Sequence, residues 1–202
     1  MLNAVALNGM RGLEIGAGSG LCGIVAARQG ANMLLTDVAE ESLVIAHENA
    51  KMNGVSSAVA YRLLNWYSCD DFIEAEYQQF DLLIGSDVLF MGGAVKPVLR
   101  LITSLLRSGG RALIAGPGRA NLESFEDLLY EAGFLPCIHI LSNLEFAPGK
   151  IMKKFVVIDV QQGQQFGPAG NPFSQQVQAA VDRLRERHEV GAQRMDGYSY
   201  TI

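Results

Sequence analysis

The sequence predicts an α/β domain built on a doubly wound, mostly parallel seven-stranded sheet with an antiparallel last strand. Three observations carry that reading. Short apolar runs alternate five times with longer segments of helical period, the pattern of strands joined by crossover helices. A cluster of glycines, Gly16-Ala17-Gly18-Ser19-Gly20, follows the first apolar run directly. After the fifth repeat two strand-like runs succeed each other with no helix between them, so the sheet ends in an antiparallel pair.

The elements follow in order. Residues 12–15 read as a strand that stops at the glycine cluster, and residues 21–29 as an apolar helix closed by Gly30. Residues 32–36 form a buried strand with Asp37 at its carboxyl end. Residues 39–52 place Leu43, Ala46 and Ala50 on one helical face and stop at Asn53-Gly54. Residues 59–64 are the third strand and 70–78 a short polar helix. The run FDLLIGS at 80–86 is apolar nearly throughout, as a strand buried on both faces requires. Residues 95–106 read as a helix ended by Ser108-Gly109-Gly110, 111–115 as the fifth strand, and 121–132 as a helix before Gly133. Residues 135–141 and 153–160 are the trailing strands, linked through Pro148 and Gly149. Residues 1–160 are thus one domain. Residues 161–173, rich in Gln and Gly, read as a linker. Residues 174–202 read as a C-terminal helix and tail, with Val177, Val181 and Leu184 on a narrow stripe and a solvated face for Arg183, Arg185 and Arg187.

Composition bounds the function. With 49% apolar and 18% charged residues, the 202-residue chain has material for one sizeable core. A formal net charge of −5 lacks the electrostatic footprint of a general nucleic-acid binder, so no nucleic-acid partner is expected. Three cysteines (Cys22, Cys69, Cys137) at irregular spacing suit a reducing, cytoplasmic setting and neither a disulfide framework nor a zinc site. His47, His139 and His188 have no ligand-spaced neighbours, so no metal is expected. No apolar run reaches the roughly eighteen residues of a membrane span, and residues 1–12 lack the features of a signal peptide.

A strand, closely spaced glycines and a helix bring backbone close to a ligand. Gly18, Gly20 and Gly23 formally satisfy the dinucleotide fingerprint G-x-G-x-x-G. Two features pull away from a dinucleotide. Glu14 places a carboxylate near the loop, where it repels a pyrophosphate and not a cation, and the trailing antiparallel pair is no requirement of dinucleotide domains. Asp37 suits the two hydroxyls of a ribose, in NAD or S-adenosylmethionine alike; its plainer role is to cap the helix that starts near Ala39.

The segments LEIGAGSGLCGIVAARQGA (13–31), LTDV (35–38), LLNWYS (63–68) and FDLLIGSDVLF (80–90) resemble the seven-β-strand methyltransferases. They are similar in particular to the lysine-methyltransferase branch with an Asp-x-x-Tyr motif after the fourth strand. That branch includes enzymes acting on the electron-transfer-flavoprotein β-subunit, chaperones and elongation factors. The resemblance implies a Rossmann-like sheet and S-adenosylmethionine as cofactor. It implies that Glu14, Gly16, Gly18 and Gly20 line the methionine part, Asp37 holds the ribose, and Asn65 and Trp66 lie beside the adenine. Ser86 and Asp87 then lie where methyl meets acceptor, with Asp87 positioning the acceptor and Phe90 walling the site. Core packing is the plainer role for Trp66, and a helix N-cap for Asp87.

Two departures stand out. Phe90 occupies the place of the family's tyrosine and removes its hydroxyl. About a dozen residues precede the first strand where the family has a longer covering segment; a trimmed form, or a cover drawn from the tail beyond Gln161, is the expectation. The activity the resemblance implies is N-methylation of a protein lysine. Methylation of a small amine, a nicotinamide-dependent oxidoreduction, and non-catalytic cofactor binding at a protein interface remain the alternatives. The motif of base amino-methyltransferases is missing, with Ser86-Asp87-Val88-Leu89 in its place.

Overall fold

The computed structural model describes residues 7–118, 120–147 and 150–161. Seven strands, β1 (Arg11–Ile15), β2 (Asn32–Asp37), β3 (Val59–Leu63), β4 (Phe80–Ser86), β5 (Leu106–Pro117), β6 (Cys137–Ala147) and β7 (Lys150–Gln161), form one sheet in the order β3-β2-β1-β4-β5-β7-β6. Strands β1 to β5 pair in parallel, and β7 runs antiparallel to both β5 and β6. The helices are α1 (Leu21–Arg28), α2 (Glu40–Met52), α3 (Asp70–Ala75), α4 (Val95–Leu105) and α5 (Ala120–Glu131). This is the doubly wound, Rossmann-like sheet expected, with the antiparallel strand last in the chain.

Two apolar clusters lie on the sheet. One joins Leu13 and Ile15 of β1 to Phe72 of α3, Val98 and Leu101 of α4, and Phe125 of α5. The other joins Met33 and Leu35 of β2 to Ile24 and Ala27 of α1 and Ala46 and Ala50 of α2. Strand β4 contributes Leu83 to the first and Leu82 and Ile84 to the second, so it is buried on both faces as its apolar run requires. Burying a Leu or Ile side chain is worth about 1.5–3 kcal/mol, so the central strands anchor the loops that leave them.

Element boundaries depart from the expected ones in three places. Strand β5 begins at Leu106 rather than Arg111: Leu106 pairs with Phe80 and Arg111 with Leu82, and the chain bulges over 107–110 through Gly109, whose φ is 77°. Helix α3 stops at Ala75 because Gln78 turns left-handed (φ 52°) and donates its N–H to the Ser104 carbonyl. Strands β6 and β7 extend past the expected 141 and begin before 153, and β7 takes in Gln161, the first residue read as linker. The remainder of the linker, the helix over 174–188 and its arginines lie outside the described residues. Among the described residues, no helix is long and apolar enough to cross a membrane, and no group of His, Cys, Asp and Glu is placed to hold a metal.

Because β1 to β4 are parallel, the loops following them gather at one edge. The chain winds one way from β1 to β3 and the other way from β4, so the crossover reverses between β1 and β4, where a crevice opens in such sheets.

Candidate cofactor and acceptor site

A cavity of about 440 Å³ opens at that edge. It is lined by Gly16 after β1, Asp37 and Val38 after β2, Leu64 to Tyr67 after β3, and the loop from Ser86 to Ala94 after β4. The volume lies within the range of small-molecule sites.

The glycine loop is tied down by two carboxylates. Glu14 is 2% exposed, and its Oε2 accepts the Gly23 N–H (2.8 Å) at the N-terminus of α1. A Cβ on Gly23 would stand 2.5 Å from that oxygen, so glycine is required for the carboxylate to approach. Burial pushes the Glu14 carboxyl up to about 7; the N–H groups of Gly23 and Cys22 oppose the rise, and the charge of Asp37 adds to it. The third glycine of the fingerprint therefore admits a side chain of this protein, and the helix N-terminus where a pyrophosphate would sit already holds Glu14.

Asp37 bridges the loop to β2. Its Oδ2 accepts the Gly18 N–H (2.9 Å) and its Oδ1 the Ala39 N–H (3.0 Å). The N-cap of α2 is Ala39, with no side-chain cap, so Asp37 makes a turn two residues long and is not the cap itself. A carboxylate oxygen accepts more than one bond, which leaves acceptor capacity facing the cavity that Asp37 also lines. Gly20 caps α1 with φ 79°, and Asn49 Nδ2 of α2 donates to the Ser19 carbonyl (2.8 Å).

Trp66 is half-buried. It packs against the first core cluster and also lines the cavity. A Cβ on Gly16 would stand 3.1 Å from Trp66 Cζ2 and 3.1 Å from Val88 Cγ1; its absence lets the loop lie against the indole. Asn65 is exposed and its Oδ1 accepts the Tyr67 N–H (3.0 Å), which shapes the turn after β3.

On the far side Asp87 takes the left-handed conformation (φ 54°), unusual for a non-glycine residue and a mark of stored strain. Its N–H donates to the Ala115 carbonyl (2.7 Å), and Asn121 Nδ2 of α5 donates to the Leu89 carbonyl (2.9 Å). Helix α4 begins only at Val95, so Asp87 does not cap it. Ser86 hydrogen-bonds Cys22, whose thiol burial pushes up to about 11, with the Glu14 charge adding to the rise; that thiol is no nucleophile near neutral pH. Phe90 and Met91 are 55% and 54% exposed at the rim.

Of the residues expected at the site, Gly16, Asp37, Asn65, Trp66, Ser86, Asp87 and Phe90 line the cavity. Glu14, Gly18 and Gly20 do not line it: Glu14 and Gly20 are buried in the loop's support, and Gly18 is half-buried with open space beside it. The sequence reading passed over Val38, Leu64, Tyr67, Val88, Met91 and Ala94, although all but Ala94 adjoin a quoted motif or stand within one.

Fold and site together define a methyltransferase-type crevice: a glycine loop on β1, a carboxylate ending β2, and a single aspartate, Asp87, in the loop after β4. The family model for lysine methyltransferases matches residues 2–129, and the chain belongs to that family. It is 33% identical over 135 residues to Protein N-lysine methyltransferase METTL21A of Danio rerio, a match covering 64% of this chain and 59% of that one. It is 31% identical over 133 residues to a Histidine protein methyltransferase 1 homolog of Dictyostelium discoideum, covering 62% and 42%. The chain thus spans about half the length of these curated relatives. The solved ribosomal protein L11 methylase of Lactobacillus delbrueckii subsp. bulgaricus shares the fold at a TM-score of 0.60 and 21% identity, over 80% of this chain and 77% of that one.

Proposed function

We propose that the protein transfers a methyl group from S-adenosylmethionine to the side-chain nitrogen of a protein lysine. The single observation that supports this reading best is the pairing of Asp37 and Asp87 in one cavity with a half-buried indole. Two carboxylates in a mostly apolar cavity, with no Lys or Arg among the described residues that line it, suit a cationic ligand and a cationic acceptor, and disfavour a phosphorylated one.

The residues present fit the cofactor. Asp37 would hold the ribose hydroxyls, and Asn65 and Trp66 would flank the adenine, with the indole as a flat apolar wall. No atom lies within 4 Å of where a Cβ on Gly18 would stand, so the backbone there is open to a ligand. Gly16 and Gly20 keep the loop low, and Glu14 fixes it from beneath. When bound, S-adenosylmethionine would supply an electrophilic methyl on a positive sulfur, and a lysine ammonium would have to release a proton to solvent before its lone pair could accept that methyl, with S-adenosylhomocysteine as the leaving group. The chain's own share is orientation and exclusion of water. Asp87 attracts an ammonium by charge and orients it by hydrogen bonding, while Ser86 and Phe90 bound the acceptor nitrogen. A nearby carboxylate also favours the charged amine, so Asp87 has a positioning role and is not assigned as the base.

Membership of the lysine methyltransferase family and the lysine methyltransferase named among its relatives favour a protein substrate over a small amine. The three free cysteines support a reducing, cytoplasmic setting. Thermal shift separates this reading from a nicotinamide-dependent one. Stabilisation by S-adenosylhomocysteine and none by NADH is expected; the reverse overturns the proposal.

A further inference from the structure

Tyr67 has no task in the reading above. It lines the cavity, yet 58% of its surface is exposed. The hydrogen bond from its N–H to Asn65 Oδ1 fixes the turn from which the ring departs (3.0 Å). Its phenol oxygen stands 3.5 Å from where a Cβ on Gly93 would be, in the short 3-10 turn Gly92–Ala94 that follows Met91. A side chain of the loop after β3 thus reaches the loop after β4, and both loops line the cavity. Phe90 and Met91 stand exposed on that second loop beyond Asp87. Large apolar side chains left in water around a carboxylate are a poor way to stabilise a fold and a good way to receive an alkylammonium. Ring faces attract a cation, apolar walls take the methylene stem, and the carboxylate takes the head.

Resting on the methyltransferase reading, we propose that Tyr67 is a specificity-determining residue: with Phe90 and Met91 it forms a throat that selects a primary ammonium on an alkyl stem over an uncharged carrier of the acceptor atom. Imidazole and carboxamide side chains are largely uncharged at neutral pH and gain little from ring faces or from Asp87. The throat therefore favours lysine over histidine or glutamine.

Two S-adenosylhomocysteine analogues test this in the full-length chain. In both, a nitrogen replaces the sulfur; one carries a 3-aminopropyl arm and the other an uncharged butyl arm of matching length. Calorimetry gives the affinity ratio of the charged to the uncharged analogue, together with the affinity for S-adenosylhomocysteine. Tyr67→Phe should keep the wild-type ratio. Tyr67→Leu, which keeps apolar bulk and loses the ring, should lower it about two- to fivefold, as loss of a cation–π contact at an exposed site does. Affinity for S-adenosylhomocysteine should stay within about twofold in both, since neither variant touches the ribose or adenine contacts. An unchanged ratio in Tyr67→Leu overturns the proposal. So does an equal loss of S-adenosylhomocysteine affinity, which makes Tyr67 a cofactor wall. Failure of the wild-type chain to bind S-adenosylhomocysteine overturns the methyltransferase reading, and this inference with it.

Discussion

On the glycine-loop side of the cavity, carboxylates hold backbone N–H groups; on the side of the loop after β4, exposed apolar side chains stand around Asp87. Glu14 and Asp37 between them take the N–H groups of Gly23, Gly18 and Ala39. Tyr67, Phe90 and Met91 on the other side are each more than half exposed. The first construction fixes backbone in one place and suits a ligand that is always the same. The second leaves side chains at an open rim, where acceptors differ. A fold shared by many methyltransferases can keep the first and vary the second.

The largest expected effect comes from the second side. Asp87→Ala should lower methyl transfer by more than about a hundredfold, the scale of a lost charge and orientation at a reacting centre. It should leave the protein folded with a melting temperature at most a few degrees lower, because alanine suits the left-handed backbone at this position less well than aspartate does. Turnover unchanged in this variant removes Asp87 from the site.

Next comes the first side. Asp37→Ala removes an acceptor of two N–H groups and, in the proposed complex, of the ribose hydroxyls, each charge-assisted bond being worth about 1.5–3 kcal/mol. Affinity for S-adenosylhomocysteine should fall between about tenfold and a hundredfold by calorimetry. A loss under twofold means that Asp37 only ties the loop.

Gly23→Ala places a methyl group 2.5 Å from both Glu14 Oε2 and Leu35 Cδ1. Overpacking of this kind costs about 1–3 kcal/mol, or several degrees of melting temperature for a domain of this size. An unaltered melting temperature would falsify the close approach of Glu14 to α1.

The smallest effect is one of slope. The unfolded chain ionises Glu14 near its ordinary 4.5 and the folded chain near 7, so between these values the folded state holds a proton that the unfolded state has lost. The contribution of Glu14 to stability is present below pH 4.5 and lost as pH rises through 7. Glu14→Gln should flatten the decline of melting temperature across that window, and an unchanged slope contradicts burial of the ionisable group.

How far the sequence revealed all this follows the same division. The glycine cluster, Asp37 closing a strand and the run at 80–86 are local signals, set by backbone geometry and two-sided burial, and they placed the sheet and the loop. The bulge over 107–110 was read as a helix end because two adjacent glycines mark both, and only pairing with β4 tells them apart. Glu14 is legible in the sequence as a carboxylate near the loop, but its burial and its bond from the Gly23 N–H at the start of α1 depend on how strand and helix pack. Tyr67 and Met91 adjoin Trp66 and Phe90 in sequence, but their standing at the rim depends on how two loops from separate strands meet. No periodicity carries that. Asn121 likewise pins the β4 loop from a helix 32 residues away.

Incubating the full chain with methyl-labelled S-adenosylmethionine and a cell lysate, then locating the label by mass spectrometry, tests the central claim most directly. Label on the side-chain nitrogen of a protein lysine is the expected result. Label confined to histidine, to an oxygen or to small molecules, or no label from a chain that binds S-adenosylhomocysteine, contradicts it.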